Sequence, residues 1–197
     1  PLEHAKAICR EIIRRNLVIS WGAYHQDQSL DAEYIALARE SGCREFYFSP
    51  DAATPEGLRI LNKSTTVASL HRSLDLIIAD GKAKAAYNFF ATVPGTGWKN
   101  TFAALRFLFI ARRRLGRRLI RYRLSYLRIE PNTPLAETVF GKGLKANTDL
   151  LLPETLVELN RLFFCKGDSR LQSAVLGLHF WLGKRFSRKN VLNHAHD

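Results

Sequence analysis

"FFATVPGTGWKN", residues 89–100, decides how this chain folds. It begins as the end of an apolar strand, turns at Pro94-Gly95, and restarts as a helix near Trp98. Proline presets φ for a tight turn, and glycine accepts backbone conformations that other residues avoid. A strand that passes through such a turn into a helix is a βα unit. In α/β proteins, ligands bind where such strands end.

The same unit recurs on both sides of this stretch. "KAKAAYNFFATV" (82–93) is a buried strand, and "WKNTFAALRFLFIARRRLG" (98–116) is a helix closed by Gly116. Upstream, Leu2, Ala5, Cys9, Ile12 and Ile13 share one helical face, and "NLVISWGAY" (16–24) is a β-rich run. A second helix follows over 29–42, capped by Ser29 or Asp31 and ended by Gly42. "CREFYFSP" (43–50) is the next strand. "TTVASLHRSLDLIIADG" (65–81) opens with a Thr cap, carries Val67, Leu70, Leu74, Ile77 and Ile78 as its stripe, and stops at Gly81. Downstream, "LIRYRLSYLRIEP" (119–131) is the fourth strand.

The order α-β-α-β-α-β-α-β predicts an α/β fold with parallel strands joined by right-handed crossovers. The expected architecture is a partial (β/α) barrel of about four units, with C-terminal helices. Its strand ends, "WGAYH", "SPDAA", "TVPGTG" and "RIEPNTP", should share one rim. Two domains are expected, the barrel over 1–152 and a helical extension over 153–197. The extension should hold helices near 153–165 and 169–187. In the second, Leu171, Ala174, Val175, Leu178, Trp181 and Leu182 form one face, which either packs on the barrel or lies on a membrane surface.

With 197 residues and 46% hydrophobic content, the chain is long enough for a real core. No apolar run approaches the roughly 18 residues of a membrane span. The net charge is +12, and "RFLFIARRRLGRRLIRYR" (106–123) holds eight arginines and no acid. Such a run serves RNA phosphates, anionic lipid heads or an acidic substrate, or it is simply a solvated helix face. Lys184, Arg185, Arg188 and Lys189 add a second basic stretch. The three cysteines, Cys9, Cys43 and Cys165, have no metal-ligand spacing and read as buried apolar residues, Cys9 and Cys165 on helical faces. A reducing cytoplasm is the expected setting, with or without peripheral membrane contact.

Taken in order, the rim segments resemble the second half of a radical S-adenosylmethionine enzyme core, in its cobalamin-associated and methylthiotransferase-like branches. The segment from "ESGCREFYFSPDAATPEGLRILNK" to Gly81 resembles the family's fourth strand and the helix after it. "AAYNFFATVPGTGWKNTFAAL" is similar to the fifth strand, which in the family usually ends Gly-x-Pro-Gly-Glu-Thr. "RIEPNTPLAETVFGKGL" with "DLLLPE" resembles a sixth strand and its tail. The resemblance covers about residues 1–153. The chain departs from the family in the fifth-strand motif, where it has Thr92 and Gly97. It also lacks the CxxxCxxC loop that holds the [4Fe–4S] cluster. Lacking that loop, and with no Met at any position, the chain reads as a fragment or a truncated gene product, with the cluster ligands expected upstream of residue 1.

The resemblance implies reductive cleavage of S-adenosylmethionine to a 5′-deoxyadenosyl radical, with cobalamin in a missing N-terminal domain. It implies three further partners: the missing half or a partner chain, a reductant such as flavodoxin or ferredoxin, and an anionic substrate, small or macromolecular. Ser49 and Asp51 would meet the ribose or amino acid part of the cofactor, although Asp51 also reads as a cap after Pro50. Backbone groups of Thr92, Val93 and Pro94 would flank the adenine, and the ordinary alternative is a plain strand-to-helix loop. Asn88 would point into the barrel. Arg128 and Glu130 would form an adenine shelf or a substrate contact, against the ordinary alternative of a surface ion pair. Tyr24 and His25 would face substrate, against the simpler reading of His25 as a satisfied or solvated side chain. Two competing readings stand beside this one. The first is a basic binding module for RNA or an anionic membrane, without catalysis. The second is a half-barrel that works with a partner chain.

Overall fold

The structure is a computed structural model that describes residues 2–129, 133–140, 164, 165, 167–179 and 181. Its contacts fall into two compact units. One is Pro1–Phe90 with Lys99–Ser125, and the other is Ala91–Trp98 with Tyr126–Asp197. The boundary expected near residue 152 lies outside the described residues.

In the first unit the helices begin where side chains can satisfy free amides. Helix α1 is Leu2–Arg14, followed by strand β1, Trp21–His25. Asp31 caps α2 (Ala32–Glu40) by accepting from the Tyr34 amide, and β2 is Cys43–Asp51. A short α3, Pro55–Ile60, starts behind Thr54 with proline in its first turn, where the sequence suggested only a turn. Thr66 and Ser69 form a reciprocal capping box for α4 (Val67–Asp80), and Gly81 ends it in the left-handed conformation. Strand β3 (Lys84–Phe90), helix α5 (Trp98–Leu115) and strand β4 (Leu119–Ser125) complete the series.

The four strands are parallel and lie in the order β1-β2-β3-β4. Register decides which side chains meet. His25, Phe48, Tyr87 and Tyr122 align across the sheet on one face. Tyr24, Tyr47, Ala86 and Arg121 align on the other. The core lies on the first face, where Phe46, Phe48, Tyr87 and Phe89 pack against Cys9, Tyr34, Ile35, Leu70, Leu74, Ile77, Phe107 and Ala111 of α1, α2, α4 and α5. Phe48 stacks on Tyr87 at 4.9 Å between ring centroids, and Phe107 meets Tyr87 edge-on at 5.0 Å. Each such aromatic contributes about 1.5–3 kcal/mol through burial. The core cluster includes none of Gly22, Tyr24, Glu45, Tyr47, Ser49, Asn88, Arg121 or Arg123. The described helices of this unit therefore pack on one face, as in a barrel. The unit is a partial (β/α) barrel.

Three expectations need correction. Strand β1 starts at Trp21, not residue 16. The amides of Asn16 and Leu17 donate to the carbonyls of Ile13 and Ile12, and Asn16 has φ +53°, so the chain ends α1 in a left-handed cap before the strand begins. The fourth strand stops at Ser125. In the second unit, β5 (Leu127–Arg128) pairs antiparallel with β6 (Phe164–Cys165), so Arg128 does not end β4. Cys165 accordingly lies on a strand and not on a helix. The second unit also holds α6, Pro134–Phe140, and a helix over residues 170–179. Among the described residues, no helix is long and apolar enough to cross a membrane.

Candidate functional site

In the first unit, the sheet face that its own helices leave bare and the carboxyl ends of its strands carry the chemistry-bearing residues. Alternation along β2 turns Glu45, Tyr47 and Ser49 away from the core, and alternation along β3 does the same for Asn88. Asn88 donates from Nδ2 to Ser49 Oγ at 3.4 Å. Its Oδ1 is buried with no hydrogen-bond partner among the described residues. A buried carbonyl without a donor costs free energy, and such an atom is a natural place for a ligand hydroxyl or amine to bind. Tyr24 is 71% exposed on the same face, its ring 5.4 Å from that of Tyr47. The Tyr47 hydroxyl donates to Glu45, and this bond raises the phenol's pKa.

Asp51 ends β2 with φ +67°, at the point where the pairing of β2 with β3 slips register. Its carboxylate is paired with Lys63. The helix that follows is capped by Thr54 and not by Asp51.

His25 faces the other way. Its ring stacks on Phe46 at 4.8 Å and lies edge-on to Tyr34, whose hydroxyl is 3.4 Å from Nδ1. Burial pushes its pKa down to about 4, so the ring is neutral at ordinary pH. His25 and Tyr24 are thus on opposite faces of β1, and only Tyr24 is on the bare face.

Two buried polar residues that sequence reasoning passed over shape this rim. Asp27, just past β1 and 2% exposed, accepts from Ser73 Oγ at 2.8 Å and from Thr65 Oγ1 at 3.4 Å. Burial raises its pKa despite those bonds and the nearby Lys63 charge. The signal was faint, a lone acid directly after a strand. Asn100, fully buried near the start of α5, accepts from the Ala53 amide at 2.9 Å and donates to the Phe90 carbonyl at 3.1 Å. It ties the loop after β2 to the end of β3. Nothing local in "GWKNTF" marks it out.

The Arg106–Arg123 run is divided by the fold. Arg114 pairs with Asp75 at 2.5 Å, while Arg118 donates to the carbonyls of Ile77, Ile78 and Ala83. These arginines hold helix ends and loops together. Arg121 and Arg123 are exposed on β4 and align with Ala86 and Asn88 of the bare face.

The second unit contains the Pro94-Gly95 turn. Thr92 and Val93 are buried at 1% and 0% exposure, so the turn presents backbone more than side chain. Thr96 closes it, its amide and hydroxyl both donating to the Val93 carbonyl at 3.1 and 2.7 Å. Gly95 and Gly97 are left-handed, with φ +79° and +53°. Their amides converge on one carboxylate. Gly95 N lies 3.0 Å from Asp168 Oδ1, and Gly97 N lies 2.5 Å from Oδ2. Arg128 is exposed on β5. Glu130, His194 and His196 lie outside the described residues.

No group of three His, Cys, Asp or Glu side chains that could hold a metal ion occurs among the described residues. Cys9 and Cys43 are 1% and 3% exposed within the core. These residues do not fit a [4Fe–4S] cluster, which needs converging thiolates. The Asn88–Ser49 pair, with its open acceptor, does fit the hydroxyls and amine of an adenosyl amino acid.

No protein-family model matches the chain, and no curated protein matches it. Solved structures do. One is the radical S-adenosylmethionine methyltransferase TsrM from Kitasatospora setae, with tryptophan substrate and aza-SAM bound. It matches at TM-score 0.57 and 22% identity, over 69% of this chain and 27% of that one. A second structure of TsrM, with cobalamin and a [4Fe–4S] cluster bound, matches at TM-score 0.55 and 23% identity, with the same coverage of both chains. Another is the cobalamin-dependent S-adenosylmethionine radical enzyme OxsB with aqua-cobalamin bound, at TM-score 0.62 and 15% identity, over 94% of this chain and 32% of that one. At these identities the likeness is one of fold. The chain spans less than a third of the length of either enzyme.

Proposed function

We propose that this chain is part of a radical S-adenosylmethionine enzyme, and that the bare face of its parallel sheet binds S-adenosylmethionine. The observation that carries this reading is the Asn88–Ser49 pair on that face, with Asn88 Oδ1 buried and unsatisfied. The fold shared with TsrM and OxsB supports it. On this reading Ser49 and Asn88 bind the ribose or amino acid moiety of the cofactor. Asp51, fixed by Lys63, orients it from the end of β2. Tyr24 faces substrate, and in the second unit, taken by itself, the Thr92–Gly95 backbone is a place for an adenine to lie. Bound beside a [4Fe–4S] cluster, S-adenosylmethionine supplies a 5′-deoxyadenosyl radical. The described residues of this chain provide no ligands for that cluster, so they bind, orient and exclude water. The cluster comes from outside them, as would any cobalamin.

The test is made on the complete gene product, reconstituted anaerobically with iron and sulfide. Reduction by dithionite with S-adenosylmethionine should release 5′-deoxyadenosine or S-adenosylhomocysteine. A reconstituted protein that neither binds nor consumes S-adenosylmethionine would overturn the reading.

A further inference from the structure

The Gly95–Gly97 turn is shaped from a distance. Two amides one residue apart, both on left-handed glycines, form a concave nest that suits an anion. The Asp168 carboxylate fills it with one oxygen per amide, at 3.0 and 2.5 Å. Gln172, 1% exposed one turn further on, donates from Nε2 to the Gly97 carbonyl at 2.8 Å. Its Oε1 accepts from the Asp168 amide at 2.9 Å, which locks the two side chains to each other. Ser169 accepts from the Gln172 amide at 3.1 Å and so starts the helix that carries this residue. Gly167 brings the chain in with φ +147°, and a Cβ there would stand 3.1 Å from Gln172. Both NH groups and one carbonyl of a five-residue turn are therefore held by residues more than 70 positions away.

We propose that Asp168 and Gln172 are positioning residues, which hold the Val93–Gly97 turn in its binding conformation and through it set the affinity for the adenosyl cofactor. This rests on the proposed function for the identity of the ligand. The latch itself rests on the hydrogen bonds. Neither residue touches the reacting atoms. A turn held by charge-assisted bonds loses less conformational freedom when ligand arrives, so removing the latch lowers affinity without removing a ligand contact.

The experiment compares wild type, Asp168→Ala, Asp168→Glu and Gln172→Leu in the complete protein. NMR amide exchange at Gly95 and Gly97 is measured together with equilibrium binding of S-adenosylhomocysteine. Both amides should exchange at least about tenfold faster in Asp168→Ala, while the β2 and β3 amides keep their protection. Affinity should fall about tenfold in Asp168→Ala and in Gln172→Leu, with partial recovery in Asp168→Glu. Unchanged exchange at both glycines overturns the latch. Faster exchange with unchanged affinity overturns its role in binding. A wild type that binds no S-adenosylhomocysteine, yet shows faster exchange in Asp168→Ala, refutes the cofactor reading and upholds the latch.

Discussion

Asn88 and Ser49 sit on neighbouring parallel strands and share one hydrogen bond, from Nδ2 to Oγ at 3.4 Å. Within that pair only the donor side of the amide is satisfied, since Oδ1 is buried without a partner among the described residues. An acceptor left without a protein donor on that face is a place where a ligand hydroxyl or amine can bind.

Asn88→Ala separates that role from a structural one. Removing an unsatisfied group should change stability by less than about 1 kcal/mol, because little is lost. Affinity for S-adenosylhomocysteine should fall about three- to tenfold. Calorimetric titration and a urea unfolding curve on one preparation check both. A large stability loss with unchanged affinity would make Asn88 structural.

Asn100→Ala should behave in the opposite way. It strands the Ala53 amide and the Phe90 carbonyl, both now served by one buried side chain. We expect a loss of about 2–4 kcal/mol, seen as a lower urea midpoint at unchanged slope.

His25 makes stability depend on pH. Its folded pKa is pushed from the ordinary 6.5 down to about 4. Below pH 6.5 the unfolded chain takes up a proton that the folded ring refuses, so stability falls as pH drops from about 6.5 to about 4. The loss is at most about 3 kcal/mol. Asp27, whose pKa is raised by burial, works in the opposite sense over part of this range. The clean readout is therefore the difference between wild type and His25→Phe. In that variant the acid-side loss should shrink, and the ring should still pack on Phe46. Urea midpoints at pH 7 and pH 5 are sufficient.

Much of the frame was readable in advance because its causes are local. The Thr66 cap, the left-handed stop at Gly81 and the apolar stripe between them are properties of one short segment, and the helix Val67–Asp80 follows from them. The site was readable only in part. "WGAYH" has an aromatic ring on each face of the strand, so nothing in it says whether Tyr24 or His25 is covered. The helices decide that, by packing on the face that holds Phe46 and Phe48.

The sequence by itself determined the alternation of helix and strand, and hence the parallel sheet, because capping, side-chain periodicity and crossover handedness act over a few residues or one βα unit. Only the tertiary structure decided which sheet face stays bare, that the chain past Ser125 leaves the parallel sheet to pair with Phe164–Cys165, and that Asp168 reaches the turn of Gly95 and Gly97. Those outcomes depend on groups far apart in the chain meeting at hydrogen-bond distance, and no local pattern encodes such a meeting.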